Sequence, residues 1–423
     1  MTQKKVTTLI TIITLLLLGA IIPWQQYVHS EGANNNSSQW EEPVHISTNA
    51  PGAFLPTLQA APNNDLMVVY NHRQDAGVNI NNPYFSRLNA GSTQWTTPAP
   101  IYVSSDNIRQ VNFAFDNNNL AHAVWRTVDE SVQYIVQTGP TQWPAQPQTV
   151  TTAAGGQTIL DLDIVIDSNN IPHIVWGEGP DSSRQIYHAY RTGGSWTITN
   201  VSATAPTLTS SPSVAVDAAR NAHVVWYETS FEGGFVYRIK YKKGTWTGSS
   251  YTWDSNATTL SGALTTARRP TIVSKENTLH VAFTRRDSST EQYAYYTRFV
   301  PGSGWGTPID TSDGNAVGVN TNSPFFLTNS LATCNNDVAL HYHGTLTATG
   351  NEIIWSTRND ANQVWSPKTQ LTEANLRTIN PSATCIGGNL HLVYEVVNQI
   401  NENHQIYYIR QNNTLFLPFV TRQ

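Results

Sequence analysis

Apolar and polar positions alternate with a period of two through short runs that close on an aromatic residue, and the runs recur about every fifty residues. Seven stand in the chain: LMVVY at 66–70, AHAVW at 121–125, PHIVW at 172–176, AHVVW at 222–226, LHVAF at 279–283, VALHY at 338–342 and LHLVY at 390–394. Their closing aromatics are separated by 55, 51, 50, 57, 59 and 52 residues. β-Branched and aromatic residues fill the runs, and turns rich in Asn, Asp and Gly precede them. The pattern predicts strands throughout, organised as seven equal tandem units.

Each unit predicts four strands. An alternating strand comes before the run, which is itself the second strand. A third, aromatic strand ends in a basic or amide residue, as in YFSR at 84–87, HAYR at 188–191, YYTR at 295–298, WSTR at 355–358 and YYIR at 407–410. The fourth opens on tryptophan: Trp95, Trp143, Trp196, Trp246, Trp305 and Trp365. No Trp follows Arg410, yet an orphan copy, WEEPVHI at 40–46, stands ahead of the first unit. A four-stranded sheet cannot bury both faces alone, and a ring of sheets keeps an open seam unless the chain ends share one sheet. The expected fold is therefore all-β, a seven-bladed β-propeller of four-stranded antiparallel blades, with the N-terminal strand completing the last blade. Solenoid and sandwich readings account for the spacing but not for the orphan strand.

The propeller is expected over residues 39–414. Before it, Lys4 and Lys5 precede an almost unbroken apolar run at 6–22, which reads as an export signal. No A-x-A site follows it, so residues 1–30 read as a signal peptide or as an N-terminal membrane anchor. Residues 31–38 form a polar linker and 415–423 a short apolar tail. Charged residues make up 13% of the chain and the net charge is −5, so no cationic surface for nucleic acid is indicated. The expected location is secreted or tethered to the cell surface, with membrane contact only through an uncleaved N-terminal segment.

Cys334 and Cys385 fall at the same point of successive units, in ATC at 332–334 and 383–385. A disulfide between neighbouring inner strands and a pair of buried free thiols are both open. Five units place a histidine three residues before the closing aromatic: His122, His173, His223, His280 and His391. A side chain repeated in this way suits scaffolding, since a hydrogen bond to the adjoining strand or turn is needed in every blade.

Chemistry in such a ring belongs at the mouth, on the loops entering the inner strands and those joining second to third strands. The ligand-binding candidates there are Arg109, Arg126, Arg269, Arg285, Arg377, His343 and Glu395, and the catalytic candidates are Glu178, Glu228 and Asp287. With the form D-x-x-N-x-x-H-x-V-W at 167–176 and D-x-x-x-N-x-H-x-V-W at 217–226, the repeats resemble those of secreted bacterial propellers of the sialidase-like group. The resemblance implies arginines that clamp a substrate carboxylate, together with a Tyr activated by Glu and an Asp acid/base. The family's Arg-Ile-Pro and its Asp box are absent, and seven units stand where sialidases have six blades. The expected function is an exported recognition module binding an extracellular glycan or protein at the polar mouth; the alternative is a glycoside hydrolase of sialidase-like type. No P-loop, CxxC pair, HExxH or G-x-S-x-G elbow calls for a cofactor. A structural calcium ion stays open without a motif to support it.

Overall fold

The computed structural model describes residues 40–47, 52–75, 78–203, 208–286, 291–312, 317–318, 329–335, 337–345, 352–359, 364–398 and 403–411. The leader, the polar linker, the apolar tail and Asp287 lie outside the described residues. The fold is all-β, seven blades of four antiparallel strands arranged as a β-propeller. The first blade runs Ala53–Ala60, Leu66–Asp75, Val78–Leu88 and Ala99–Pro100. The other inner strands are Ile108–Phe115, Thr158–Ile166, Leu208–Val216, Ala267–Lys275, Asn329–Cys334 and Arg377–Ile386. Each inner strand packs on the next and the last packs on the first, which closes the ring.

The orphan strand completes the seventh blade as expected. Val44 and His45 pair with Tyr408 and Tyr407 of the third strand, His404–Arg410, and Trp40 bridges to Gln411. Glu41 and Ile46 extend the pairing through N–H bonds of 2.9 Å to the carbonyls of Arg410 and Ile406. Ile46 is then buried with Leu58, Tyr70 and Val393, so the seam has a core of its own.

Between blades the row of tryptophans packs as expected of core residues, although Trp246 ends the third strand of its blade, Phe235–Trp246, and pairs with Tyr251 instead of opening the fourth strand, Tyr251–Trp253. Trp95, Trp143, Trp196, Trp246, Trp305 and Trp365 each set a ring edge-on to an aromatic of the preceding blade's third strand: Tyr408, Phe85, Tyr134, Tyr190, Tyr241 and Tyr296. Such edge-to-face contact adds to the burial of these large side chains. The recurrent histidines are buried scaffolding. His122, His223, His280 and His391 meet a third-strand hydroxyl, of Tyr134, Tyr241, Tyr296 and Tyr408, at 2.5–2.8 Å. His173 meets His188 at 3.0 Å instead. The other ring nitrogen of His122, His173 and His223 faces the turn aspartates Asp116, Asp167 and Asp217. Cys334 and Cys385 form a disulfide with Cα atoms 5.3 Å apart, joining the ends of the sixth and seventh inner strands.

Candidate functional site

Six inner strands bulge at the same point near their N-terminal ends, which face the mouth. In each bulge one non-glycine residue takes a left-handed φ between 49° and 57°: Leu55, Gln110, Asp161, Ser211, Arg269 and Asn380. That conformation costs on the order of 1 kcal/mol or more per residue. Hydrogen bonds compensate for it. Turned out of the strand ladder, the N–H of Leu55 donates to Glu395 at 3.0 Å, that of Asp161 to Gln110 Oε1 at 2.9 Å, and that of Ser211 to Asp161 Oδ2 at 3.0 Å. The N–H of Asn380 donates to His343 Nδ1 at 3.4 Å. In all four cases the acceptor belongs to the preceding blade, so the bulges stitch blade to blade around the mouth.

One level deeper, the same inner strands carry a second polar ring. Asp163 accepts from Asn112 Nδ2 at 3.0 Å, from Ser213 Oγ at 2.9 Å and from the Val214 N–H at 3.0 Å. Ser330 accepts from the Ala383 N–H at 2.8 Å, and Ser382 from the Leu58 N–H at 2.9 Å. Burial raises the Asp163 carboxyl above the usual carboxylate range despite these donors.

At the mouth the bulges bring together residues of blades that are not neighbours. Arg269 of the fifth blade acts on Asp161 of the third. Burial works to raise the Asp161 carboxyl, but Arg269, the Ser210 and Ser211 donors and the Gln110 amide outweigh it and hold it below its ordinary range. His343, of the sixth blade, is fully buried. That burial, reinforced by the charges of Arg377 and Arg269, lowers it to about 3, so it is a neutral imidazole. Arg109 and Arg126 form a separate pair on the second blade, directly opposite each other on its inner and second strands.

Other candidates are held within their own part of the ring. Glu178 accepts from the indole of Trp176 at 2.8 Å. Glu228 faces Lys240 at 3.6 Å. Arg285 donates to the Tyr295 hydroxyl at 2.9 Å. Glu395 is 1% exposed, and its carboxylate takes three donors: the Leu55 N–H, Asn380 Nδ2 at 2.8 Å and His404. Among the described residues no three His, Cys, Asp or Glu side chains converge to hold a metal ion.

No family model matches the sequence, and no curated protein matches it. Solved structures do share its architecture. An ulvan lyase of polysaccharide lyase family 25 superposes with a TM-score of 0.60 at 9% identity, covering 88% of this chain and 96% of that one. The BP39L lectin from Burkholderia pseudomallei gives 0.54 at 11% identity, over 75% of this chain and 84% of the lectin. An α-L-arabinanase from Penicillium chrysogenum, complexed with arabinobiose, gives 0.50 at 11% identity, over 77% and 99%. At such identities these likenesses establish the fold, and they place glycan-acting enzymes and a lectin among its neighbours.

A feature that the repeat pattern did not single out sits on the fourth blade. Its second strand, Ala222–Phe231, continues past Thr229, the partner of the first inner-strand residue Leu208, and turns through Gly233 and Gly234 into Phe235–Trp246. Phe231 and Phe235 close this hairpin opposite each other, 73% and 70% exposed, with ring centroids 5.8 Å apart and edge to face. Both oxygens of Glu232 pair with the Arg238 guanidinium beneath them. Gly233 takes a φ of 75°, which a side chain would strain. The signal in the sequence was FEGGF at 231–235, two aromatics around a glycine turn that a core strand would not need.

Proposed function

We propose that the protein is an exported glycan-recognition module whose ligand lies across the mouth of the propeller. The observation that carries the reading is the Phe231–Phe235 pair. Among the described residues these are the only large aromatic side chains left exposed, and they stand at the mouth end of the ring. Exposed apolar surface set beside a polar mouth marks an interaction site, and the C–H faces of a sugar ring stack on such phenyl rings. The lyase, the arabinanase and the lectin that share the fold supply the same context. Export is supported by the basic and then apolar start of the chain and by the Cys334–Cys385 bond, which suits an oxidising compartment.

The hydrolase alternative draws less support. Asp161 and Glu395 are each saturated by scaffold donors, and Glu178 is taken up by an indole of its own strand. The test is a glycan-array screen of the purified protein, with a fluorogenic sialoside and a general glycoside panel run alongside. Binding without turnover is expected, and F231A/F235A should weaken it at least about tenfold while the melting temperature stays unchanged. Turnover abolished by E178Q or E228Q would overturn the reading in favour of the hydrolase, and silence on the array would overturn it in favour of a protein partner.

A further inference from the structure

We infer that the mouth end of the seam between the second and third blades binds an oxyanion, either the carboxylate of a uronic acid or a sulfate ester of the glycan. The inference rests on the glycan reading above and specifies the chemistry of the ligand.

Arg109 and Arg126 stand directly opposite each other, on the inner and second strands of the second blade. Like charges in register on adjacent strands repel, and burying a guanidinium without partners adds a desolvation cost. Arg126 is only 9% exposed, yet among the described residues its guanidinium makes no hydrogen bond. Its Nε is buried without a partner, and its one ion-pair contact is Nη1 to Glu130 at 3.6 Å. Glu130 is itself committed elsewhere, accepting from the Ile159 N–H of the third blade at 2.6 Å. Arg109 is exposed, and its guanidinium has neither an ion pair nor a hydrogen bond among the described residues.

The direction of Arg126 follows from the strand. Trp125 packs with Met67, Val69 and Phe85 toward the first blade, whereas Val124 and Val132 pack with Ile159 and Trp176 of the third. Side chains alternate along a strand, so Arg126 faces the third blade. Burial depresses its guanidinium; Glu130 and Asp161 act to raise it, and Arg109 and Arg184 add to the depression.

A carboxylate or sulfate set between the two guanidinium groups would turn the repulsion into charge-assisted hydrogen bonds, because each group presents several donors in a fixed fork. Exposed Arg109 would meet the anion first and buried Arg126 would fix its orientation.

The experiment compares wild type, R109Q and R126Q by calorimetry and thermal shift. The probes are an oligoglucuronate, a sulfated malto-oligosaccharide, the unsulfated malto-oligosaccharide of equal length, and sodium glucuronate and sodium sulfate alone. At least one anionic oligosaccharide should bind about tenfold or more tightly than the neutral one, and R109Q and R126Q should each remove that advantage. Preference between glucuronate and sulfate identifies the source of the anion. In the absence of anion, R126Q should melt no lower than wild type, because it removes a buried charge that has no hydrogen bond; a structural arginine would show the opposite. Equal affinity for anionic and neutral sugars, or wild-type behaviour of R109Q, overturns the inference. If no oligosaccharide binds, the glycan reading fails separately and the simple salts decide the site: stabilisation by glucuronate or sulfate that both variants lack supports it, and the same response in all three proteins overturns it.

Discussion

The backbone N–H of Leu55 donates to the carboxylate of Glu395 over 3.0 Å, although 340 residues separate them in sequence. The same carboxylate takes Asn380 Nδ2 and His404 Nδ1, so one side chain ties the bulge of the first blade to the bulge of the last. E395A would leave three donors without their acceptor in a buried place. A loss of about 3–5 kcal/mol is expected in urea unfolding. S382A, which removes the acceptor of the Leu58 N–H, should cost only about 1 kcal/mol. A loss in E395A no greater than in S382A would mean that the seam is not held here.

The seam has a second fastening in the N-terminal strand. Deleting residues 39–47 removes the pairing to Tyr407 and Tyr408 and takes Ile46, 2% exposed, out of the core. An unpaired strand edge flanked by apolar surface seeks another chain. The truncated protein should therefore shift to larger species in light scattering relative to the intact chain and lose a single cooperative melt. An unchanged melt and mass would show that the last blade is stable with three strands.

The ring was legible in the sequence because each blade repeats the same burial problem. The closing aromatics, the tryptophan row and the orphan Trp40 strand recur for packing reasons, and packing writes itself into spacing. The bulges were not legible. Leu55, Gln110, Asp161, Ser211, Arg269 and Asn380 share a backbone conformation but no side-chain chemistry, and a one-residue slip leaves the alternation on either side intact. Without the bulges it could not be read that Glu395 serves the seam, or that Arg269 reaches both Asp161 and His343. The pairing of Arg109 with Arg126 depends on register across the same bulge.

The Cys334–Cys385 bond closes a loop over a sequence separation of 51 residues, between the inner strands of the sixth and seventh blades. Restricting the unfolded chain in this way is worth about 2–4 kcal/mol. Reduction, or C334S/C385S, should lower the melting temperature by a few degrees without altering glycan binding, since both cysteines lie at the end of the inner strands remote from the mouth. Identical melting with and without reductant would show that the bond contributes nothing to stability.

Acid should weaken the fold in two stages. Burial is the first cause of depression for His280, His341 and His391, which lie at about 4, and for His343 at about 3, against 6.5 for an unhindered imidazole. Below pH 6.5 the unfolded chain takes up protons that the native blades refuse until about pH 4. Stability that is level above pH 6.5 therefore falls through this window, with a slope of up to about 1.4 kcal/mol per pH unit for each imidazole. Asp167 and Asp217 follow at lower pH. Burial works to raise them, but bonds from His173, His223 and the turn N–H groups bring them to about 2, so their contribution holds above 3.8 and is lost between there and pH 2. Urea midpoints at pH 7.5, 6.0 and 5.0 check the first stage. H280Q should lower stability at pH 7.5 by losing the bond to Tyr296 and should flatten the fall between pH 6 and 5, as one fewer buried imidazole refuses a proton. A midpoint that stays level down to pH 5 would show that the native histidines protonate as readily as the unfolded ones.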